Sequence, residues 1–94
     1  MQGADCNAFT ELRRSFIEGL TGRLIIIRGQ DAKARDDALH KLAGAAGAFG
    51  LDLLSEQARG IQAALATGNA AAAQAQIEAL AARVAALRDE ASSQ

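Results

Sequence analysis

Hydrophobic residues recur along the chain at helical spacing. In the first segment the apolar positions follow one another mostly at three- and four-residue steps: Phe9, Leu12, Phe16, Leu20, Leu24 and Ile27. This spacing predicts an amphipathic helix. Asp5 or Asn7 is placed to cap its first turn, because a short polar side chain satisfies the free N–H groups there.

Two glycines interrupt this first segment. Gly19 and Gly22 bracket Thr21 and predict a kink or a brief break, after which Thr21 would cap a second segment that ends near Gly29. If the helix is continuous, Ile25 lies opposite the apolar stripe, where an exposed isoleucine would suit a contact surface. If the break re-phases the stripe, the same isoleucine is buried. The sequence leaves both alternatives open.

Three further amphipathic segments follow, separated by short turns. Their boundaries are Asp31 to about Phe49, closed by Gly50; Leu51 or Asp52 to Gly68; and Asn69 to a polar tail, Asp89 to Gln94, that we expect to fray. The residues expected to face the core are Ala38, Leu42, Ala45, Ala46 and Phe49 in the first of these segments. In the second they are Leu54, Ala58, Ile61 and Leu65, and in the third Ala73, Ile77, Leu80, Val84 and Leu87. The pattern predicts an all-α fold: one domain over residues 1–94, folded as an antiparallel up-down four-helix bundle.

Composition excludes several classes of function. The chain has 94 residues, 3% aromatic residues and a formal net charge of −1. A nucleic-acid-binding surface would need aromatic platforms or a basic cluster, and neither is present. The lone Cys6 cannot close an intrachain disulfide, no signal-peptide pattern opens the chain, and no apolar run is long enough to span a bilayer. We therefore expect a cytoplasmic protein that binds neither membrane nor nucleic acid.

The candidate chemistry centres on His40, the only histidine. On a helix at about 100° per residue, His40 points away from the apolar stripe, and Gly44 and Gly47 follow it on the same outer face. Each glycine within a helix costs about 1 kcal/mol relative to alanine, yet this chain uses alanine freely elsewhere. The two glycines therefore indicate an imidazole beside a clearing that another protein can approach closely. An outward imidazole is partly deprotonated near neutral pH and is nucleophilic at nitrogen.

The run from His40 to Leu51, with its two glycines and the Phe49-Gly50-Leu51 ending, resembles the phosphorylation motif of histidine-containing phosphotransfer (Hpt) domains. This resemblance implies a helical bundle that relays phosphoryl groups in two-component signalling. His40 would accept a phosphoryl group from the aspartate of a receiver domain, or from a kinase, and pass it to another receiver. The resemblance also implies that Mg²⁺ belongs to the receiver and that this chain, expected to be a monomer without its own cofactor, is a carrier rather than an independent enzyme.

Other residues are predicted to support the site. His40 and Gln62 lie about equally far from Leu51, so we expect the Gln62 amide to reach Nδ1 of the imidazole and leave Nε2 free for transfer. Similar domains often carry a lysine three residues after the histidine, where this chain has Ala43. This leaves Lys41 and Lys33 as candidates for shielding the phosphoryl group or meeting an acidic partner; the alternative for both is an ordinary solvated side chain.

A docking surface is expected around His40 as well. Its candidate members, besides the glycine clearing, are Lys33, Asp36, Asp37 and Ala43. Asp36 and Asp37 are expected to be solvated helix charges rather than a paired-carboxylate catalytic site, because such a site requires a cleft.

The alternative is a structural adaptor or dimerisation bundle in which His40 has no chemical role. That alternative predicts that replacing Gly44 or Gly47 by alanine only stabilises the fold. A metal site is not expected, because zinc sites assemble several Cys or His ligands and this chain has one of each. No glycine-rich loop follows a strand, so a phosphate loop is not predicted either.

Overall fold

A computed structural model describes residues 2–92 of the chain, with side chains over residues 8–91. The helices are α1 (Gln2–Glu18), α2 (Leu20–Arg28), α3 (Ala32–Ala48), α4 (Asp52–Ala66) and α5 (Ala70–Ser92). The first two form one interrupted rod, so the described chain is an all-α bundle of four rods, as predicted. In the bundle α3 packs against α2 and α4, and α5 packs against α4, α1 and α2. Helices α3 and α5 therefore lie on a diagonal.

The core is built from the apolar stripes of all four rods. Its largest fully buried side chains are Ile17, Leu20, Ile27, Leu39, Leu42, Leu54, Ile61 and Leu80. Burying each such side chain contributes about 1.5–3 kcal/mol, so these contacts dominate the stability. Every inward residue predicted for α5 is buried, and in α4 only Leu65 is merely half-buried. In α3, Ala45 and Phe49 are half-buried, and Leu39 and Ala43 complete the buried stripe.

The first helix departs from its predicted stripe. Phe9 and Leu12 are 49% and 62% exposed, and Ile17 is buried instead. Within the described residues α1 packs along α2 and α5, and no helix covers the side of α1 that carries Phe9 and Leu12. Phe9 instead rests against the Phe49 ring at 5.6 Å between centroids, and Phe16 stacks on the same ring at 5.2 Å.

The predicted break falls at Gly19, between α1 and α2. Thr21 is not its cap: the N-cap position of α2 is Gly19, and the Thr21 hydroxyl accepts a hydrogen bond from Arg88 at 2.8 Å. The break does not re-phase the helix, because Gly19 N–H still donates to Ser15 O and Gly19 O still accepts from Arg23. Ile25 is consequently 69% exposed, as expected for a continuous helix.

Both chain ends depart from the prediction. Helix α1 begins at Gln2, so Asp5 and Asn7 lie within the helix and neither is its N-cap; the side chains of Asp5, Cys6 and Asn7 are not described. At the other end α5 continues to Ser92, so the part of the expected fraying tail that the structure describes is helical.

Capping residues define the turns that fold α3, α4 and α5 back on one another. The Asp31 carboxylate accepts hydrogen bonds from the N–H groups of Lys33 and Ala34, each at 3.1 Å. Gly50 closes α3 with φ +75°, and Gly68 closes α4 with φ +76°. Asn69 then caps α5 by accepting a hydrogen bond from Ala72 N–H at 3.1 Å. These caps were all predicted from the sequence.

Gly50→Ala is expected to destabilise the fold by about 1–2 kcal/mol. A Cβ atom at Gly50 meets no neighbouring atom within 4 Å, so the cost is the left-handed backbone conformation rather than a clash. Thermal unfolding followed by circular dichroism measures the change. Gly50→Asn is the matched control and should lose less, because asparagine tolerates this conformation better. Equal stability of all three proteins would contradict the prediction.

Candidate functional site

His40 lies in the middle of α3, on the face that points away from the core. Its neighbours Leu39 and Leu42 are fully buried, which fixes the rotation of the helix and leaves the imidazole exposed. Among the described residues, His40 makes no hydrogen bond and no ion pair. The ring is therefore open to an incoming group.

The clearing predicted next to His40 is present. A Cβ atom at Gly44, one turn after His40, would meet no atom within 4 Å. At Gly47 it would meet only the Ser55 hydroxyl, at 4.0 Å. Both glycines are exposed, so the backbone of α3 downstream of the imidazole is accessible from solvent.

Charged residues flank the imidazole on the N-terminal side. Asp37 forms an exposed ion pair with Lys41 at 3.2 Å, the i,i+4 spacing of a surface helix. Asp36 accepts two hydrogen bonds from the Gln62 amide nitrogen, at 3.2 Å to its carboxylate and 3.4 Å to its backbone carbonyl. Lys33 is exposed in the first turn of α3. The face around His40 thus carries both signs of charge.

The expected hydrogen bond between Gln62 and His40 is not formed. Gln62 reaches Asp36, one turn earlier on α3. The reason is the register of the α3–α4 hairpin: the pairs Asp36–Gln62 and Ala43–Ser55 are both centred on residue 49 and not on Leu51. This register places residues 58 and 59, rather than Gln62, opposite His40.

Ala43 does not belong to the exposed surface. It is only 4% exposed, because α4 packs over this side of α3. Its carbonyl oxygen accepts a buried hydrogen bond of 2.8 Å from the hydroxyl of Ser55. Ala43 therefore cannot contribute to a docking surface, and the docking residues predicted beside it, Lys33, Asp36 and Asp37, remain exposed.

Ser55 was not predicted from the sequence. Its position gives a signal that could have been used: Ser55 is a small polar residue next to Leu54 and one turn before the buried Ala58. Buried hydroxyl groups need a hydrogen-bond partner, and for Ser55 that partner is the Ala43 carbonyl of the facing helix. Ser55 thereby ties α4 to α3 below the glycine clearing.

Ser55→Ala is expected to destabilise the protein by about 1 kcal/mol, because it removes a buried hydrogen bond. For a domain of this size the melting temperature should fall by about 4–8 °C. Ser15→Ala is the matched control, because Ser15 is exposed and the change from serine to alanine raises the helix propensity by the same amount at both positions. An equal melting temperature for the two variants would show that the hydrogen bond contributes nothing.

A groove opens beside the histidine face, between α3 and the α1–α2 rod. Its volume is about 850 Å³, and its walls include Leu12, Phe16 and Ile26 on one side and Asp37 and Lys41 on the other. Leu12 and Ile26 are exposed apolar residues. Apolar side chains of this size grouped next to polar ones are typical of protein interaction surfaces.

The described part of the chain holds no group of three His, Cys, Asp or Glu residues that could bind a metal ion. None of the described helices has the length and apolarity required to cross a bilayer.

Comparison with known proteins defines the class. The family model of the Hpt domain matches residues 7–90, nearly the whole chain. Comparison with curated proteins gives no match, and comparison with solved structures gives none either. The chain belongs to the Hpt domain family, whose members carry phosphoryl groups on histidine between the proteins of phosphorelays.

Proposed function

We propose that this Hpt domain accepts a phosphoryl group on Nε2 of His40 from the phosphorylated aspartate of a receiver domain and passes it to another receiver. The observation that carries the proposal is the exposed imidazole, which has no hydrogen-bond partner among the described residues and is followed by the open backbone at Gly44. A sensor kinase is a second possible donor of the phosphoryl group.

The chemistry requires little from this chain beyond the imidazole. In the neutral ring the lone pair of Nε2 attacks phosphorus, the P–N bond forms, and the P–O bond of the acyl phosphate breaks. The electron pair of that bond leaves with the aspartate carboxylate. Nδ1 keeps its proton throughout, so the product is a phosphorylated imidazolium. The reverse sequence delivers the group to the next receiver.

The receiver is expected to supply Mg²⁺ and most of the stabilisation of the transition state, because phosphoryl transfer depends on metal and positioned charges around the equatorial oxygens. This chain contributes the nucleophile and a docking surface. It is therefore a phosphoryl carrier and not an independent catalyst.

The groove beside His40 supports docking of a receiver on this face. Leu12 and Ile26 offer apolar contact area next to the histidine, and Lys41 and Lys33 offer positive charge. A receiver presents a cluster of acidic residues around its phosphorylated aspartate. A receiver docked over the groove would place its acidic cluster near the two lysines and near the glycine clearing.

The test is incubation of the full chain with a panel of receivers carrying labelled aspartyl phosphate, in the presence of Mg²⁺. We expect at least one receiver to transfer label to this chain, and the phosphate should be acid-labile and base-stable, as a phosphoramidate of histidine is. If neither any receiver nor the small donor phosphoramidate transfers a phosphoryl group to this chain, the proposal is refuted and the structural-adaptor alternative is favoured.

A further inference from the structure

Building on the proposed function, we propose that Arg59 of α4 is the cationic residue that binds the phosphoryl oxygens on His40. The phosphoryl group adds negative charge to a face that already carries Asp36 and Asp37 on the turn before the histidine. Like charges at this spacing repel, so the phosphorylated state needs a positive group within reach.

The cations of helix α3 are paired, distant from His40 or turned away from it. Lys41 is held by Asp37 at 3.2 Å and lies about 100° from His40 around the helix. Lys33 is seven residues away, which corresponds to about 10 Å along the helix axis. Ala43 is buried and uncharged. Arg35 is half-buried and lies five residues from His40, about 140° away around the helix. The best-placed positive charge is therefore on the neighbouring helix.

The hairpin register places Arg59 at the required level. Ser55 and Gln62 both reach across to α3, to Ala43 and Asp36 respectively, and they bracket His40 along that helix. Arg59 follows Ser55 by four residues and precedes Gln62 by three, so it shares their edge of α4. With the hairpin centred on residue 49, Arg59 lies within one residue of the level of His40.

The guanidinium of Arg59 is available for this role. Arg59 is exposed and, within the described part of the chain, makes no hydrogen bond and no ion pair. Asp36, the acidic residue of α3 that faces this edge of α4, already accepts a hydrogen bond from Gln62. Gly47, on the α4 side of the histidine face, has no side chain, and a Cβ atom there would meet only the Ser55 hydroxyl, at 4.0 Å. A planar guanidinium offers paired N–H donors that match two phosphoryl oxygens.

The test uses potassium phosphoramidate as a donor, because it needs no partner protein. His40 Nε2 attacks its phosphorus, the donor P–N bond breaks, and ammonia leaves with a proton from solvent. The variants are Arg59→Gln and Arg59→Lys. The matched control is Arg83→Gln on α5, the helix diagonal to α3. Phosphorus NMR follows the rate of phosphorylation and the titration of the phosphoryl group.

We expect Arg59→Gln to slow phosphorylation about fivefold, since exposed charge pairs are worth up to about 1 kcal/mol. The titration midpoint of its phosphoryl group should rise by about half a pH unit, because a positive neighbour favours the dianion. Arg59→Lys should recover most of both effects, and Arg83→Gln should match the wild-type chain. The titration midpoint of the phosphoryl group would not change if Arg59 only stabilised the fold, so this readout separates the two roles.

Two results would overturn the assignment of Arg59 while leaving the proposed function intact. One is wild-type behaviour of Arg59→Gln in both readouts. The other is an equal loss in Arg83→Gln, which would mean that the effect is not specific to Arg59. Failure of the wild-type chain to accept phosphate from phosphoramidate or any receiver would instead remove the proposed function itself.

Discussion

His40→Gln is expected to fold like the wild-type chain and to accept no phosphoryl group. Glutamine retains a polar side chain of similar reach, but its amide nitrogen is not nucleophilic. Because His40 is exposed and has no partner among the described residues, the substitution should change the free energy of unfolding by less than about 0.5 kcal/mol. Labelling by a phosphorylated receiver should fall by at least about 10³-fold, as expected when the nucleophile is removed.

The measurement pairs a thermal melt with a labelling time course on the same protein preparation. Ala48→Gln is the matched control, because Ala48 is an exposed position of the same helix and the histidine is left in place. The control should accept label at the wild-type rate. Undiminished labelling of His40→Gln would mean that the phosphate sits on another residue, and acid stability of that phosphate would identify the bond as one other than P–N.

The fold was largely predictable because the signals for it are local. The stripe of α5 runs at regular helical spacing from Ala73 to Leu87, and every member is buried. The caps at Asp31 and Asn69 and the left-handed glycines Gly50 and Gly68 are also properties of a few neighbouring residues. Each of these depends on backbone groups within one turn, so no knowledge of the tertiary structure is needed to place them.

The first helix shows where local reasoning fails. Phe9 and Leu12 continue the apolar period of α1, but periodicity reports only that one side of a helix is apolar. Whether another helix covers that side depends on the packing of the bundle, and in the described structure none covers Phe9 or Leu12. Their exposure creates one wall of the groove beside the histidine face, so the error concerns residues that we now assign to docking.

The candidate site was predicted in part for the same reason. Exposure of His40 and the clearing at Gly44 follow from the rotation of a single helix, which the periodicity defines. The position of Gln62 and the burial of Ala43 depend instead on how α4 registers against α3. That register is set by the geometry of the turn around Gly50, and a shift of its centre from Leu51 to Phe49 moves every cross-helix pair by a full turn.

Gly44→Leu is expected to separate stability from transfer. Gly44 is an exposed residue within α3, and a Cβ atom there meets nothing within 4 Å. Replacing a helical glycine by leucine should therefore stabilise the fold by about 0.8–1 kcal/mol. The melting temperature should rise by about 4–8 °C. The same side chain would stand in the path of a receiver that must bring its aspartyl phosphate to Nε2.

Transfer from a receiver should consequently slow by roughly tenfold to a hundredfold, because an extra side chain forced into a close contact costs about 1–3 kcal/mol. Phosphorylation by the small donor phosphoramidate should change by less than about twofold, since its approach to the imidazole needs far less room than a protein surface. Ala85→Leu on α5 is the matched control, an exposed position on the helix diagonal to α3. If Gly44→Leu is more stable and still exchanges with receivers at the wild-type rate, the glycine does not provide clearance. If both donors slow equally, the leucine acts on the imidazole itself rather than on docking.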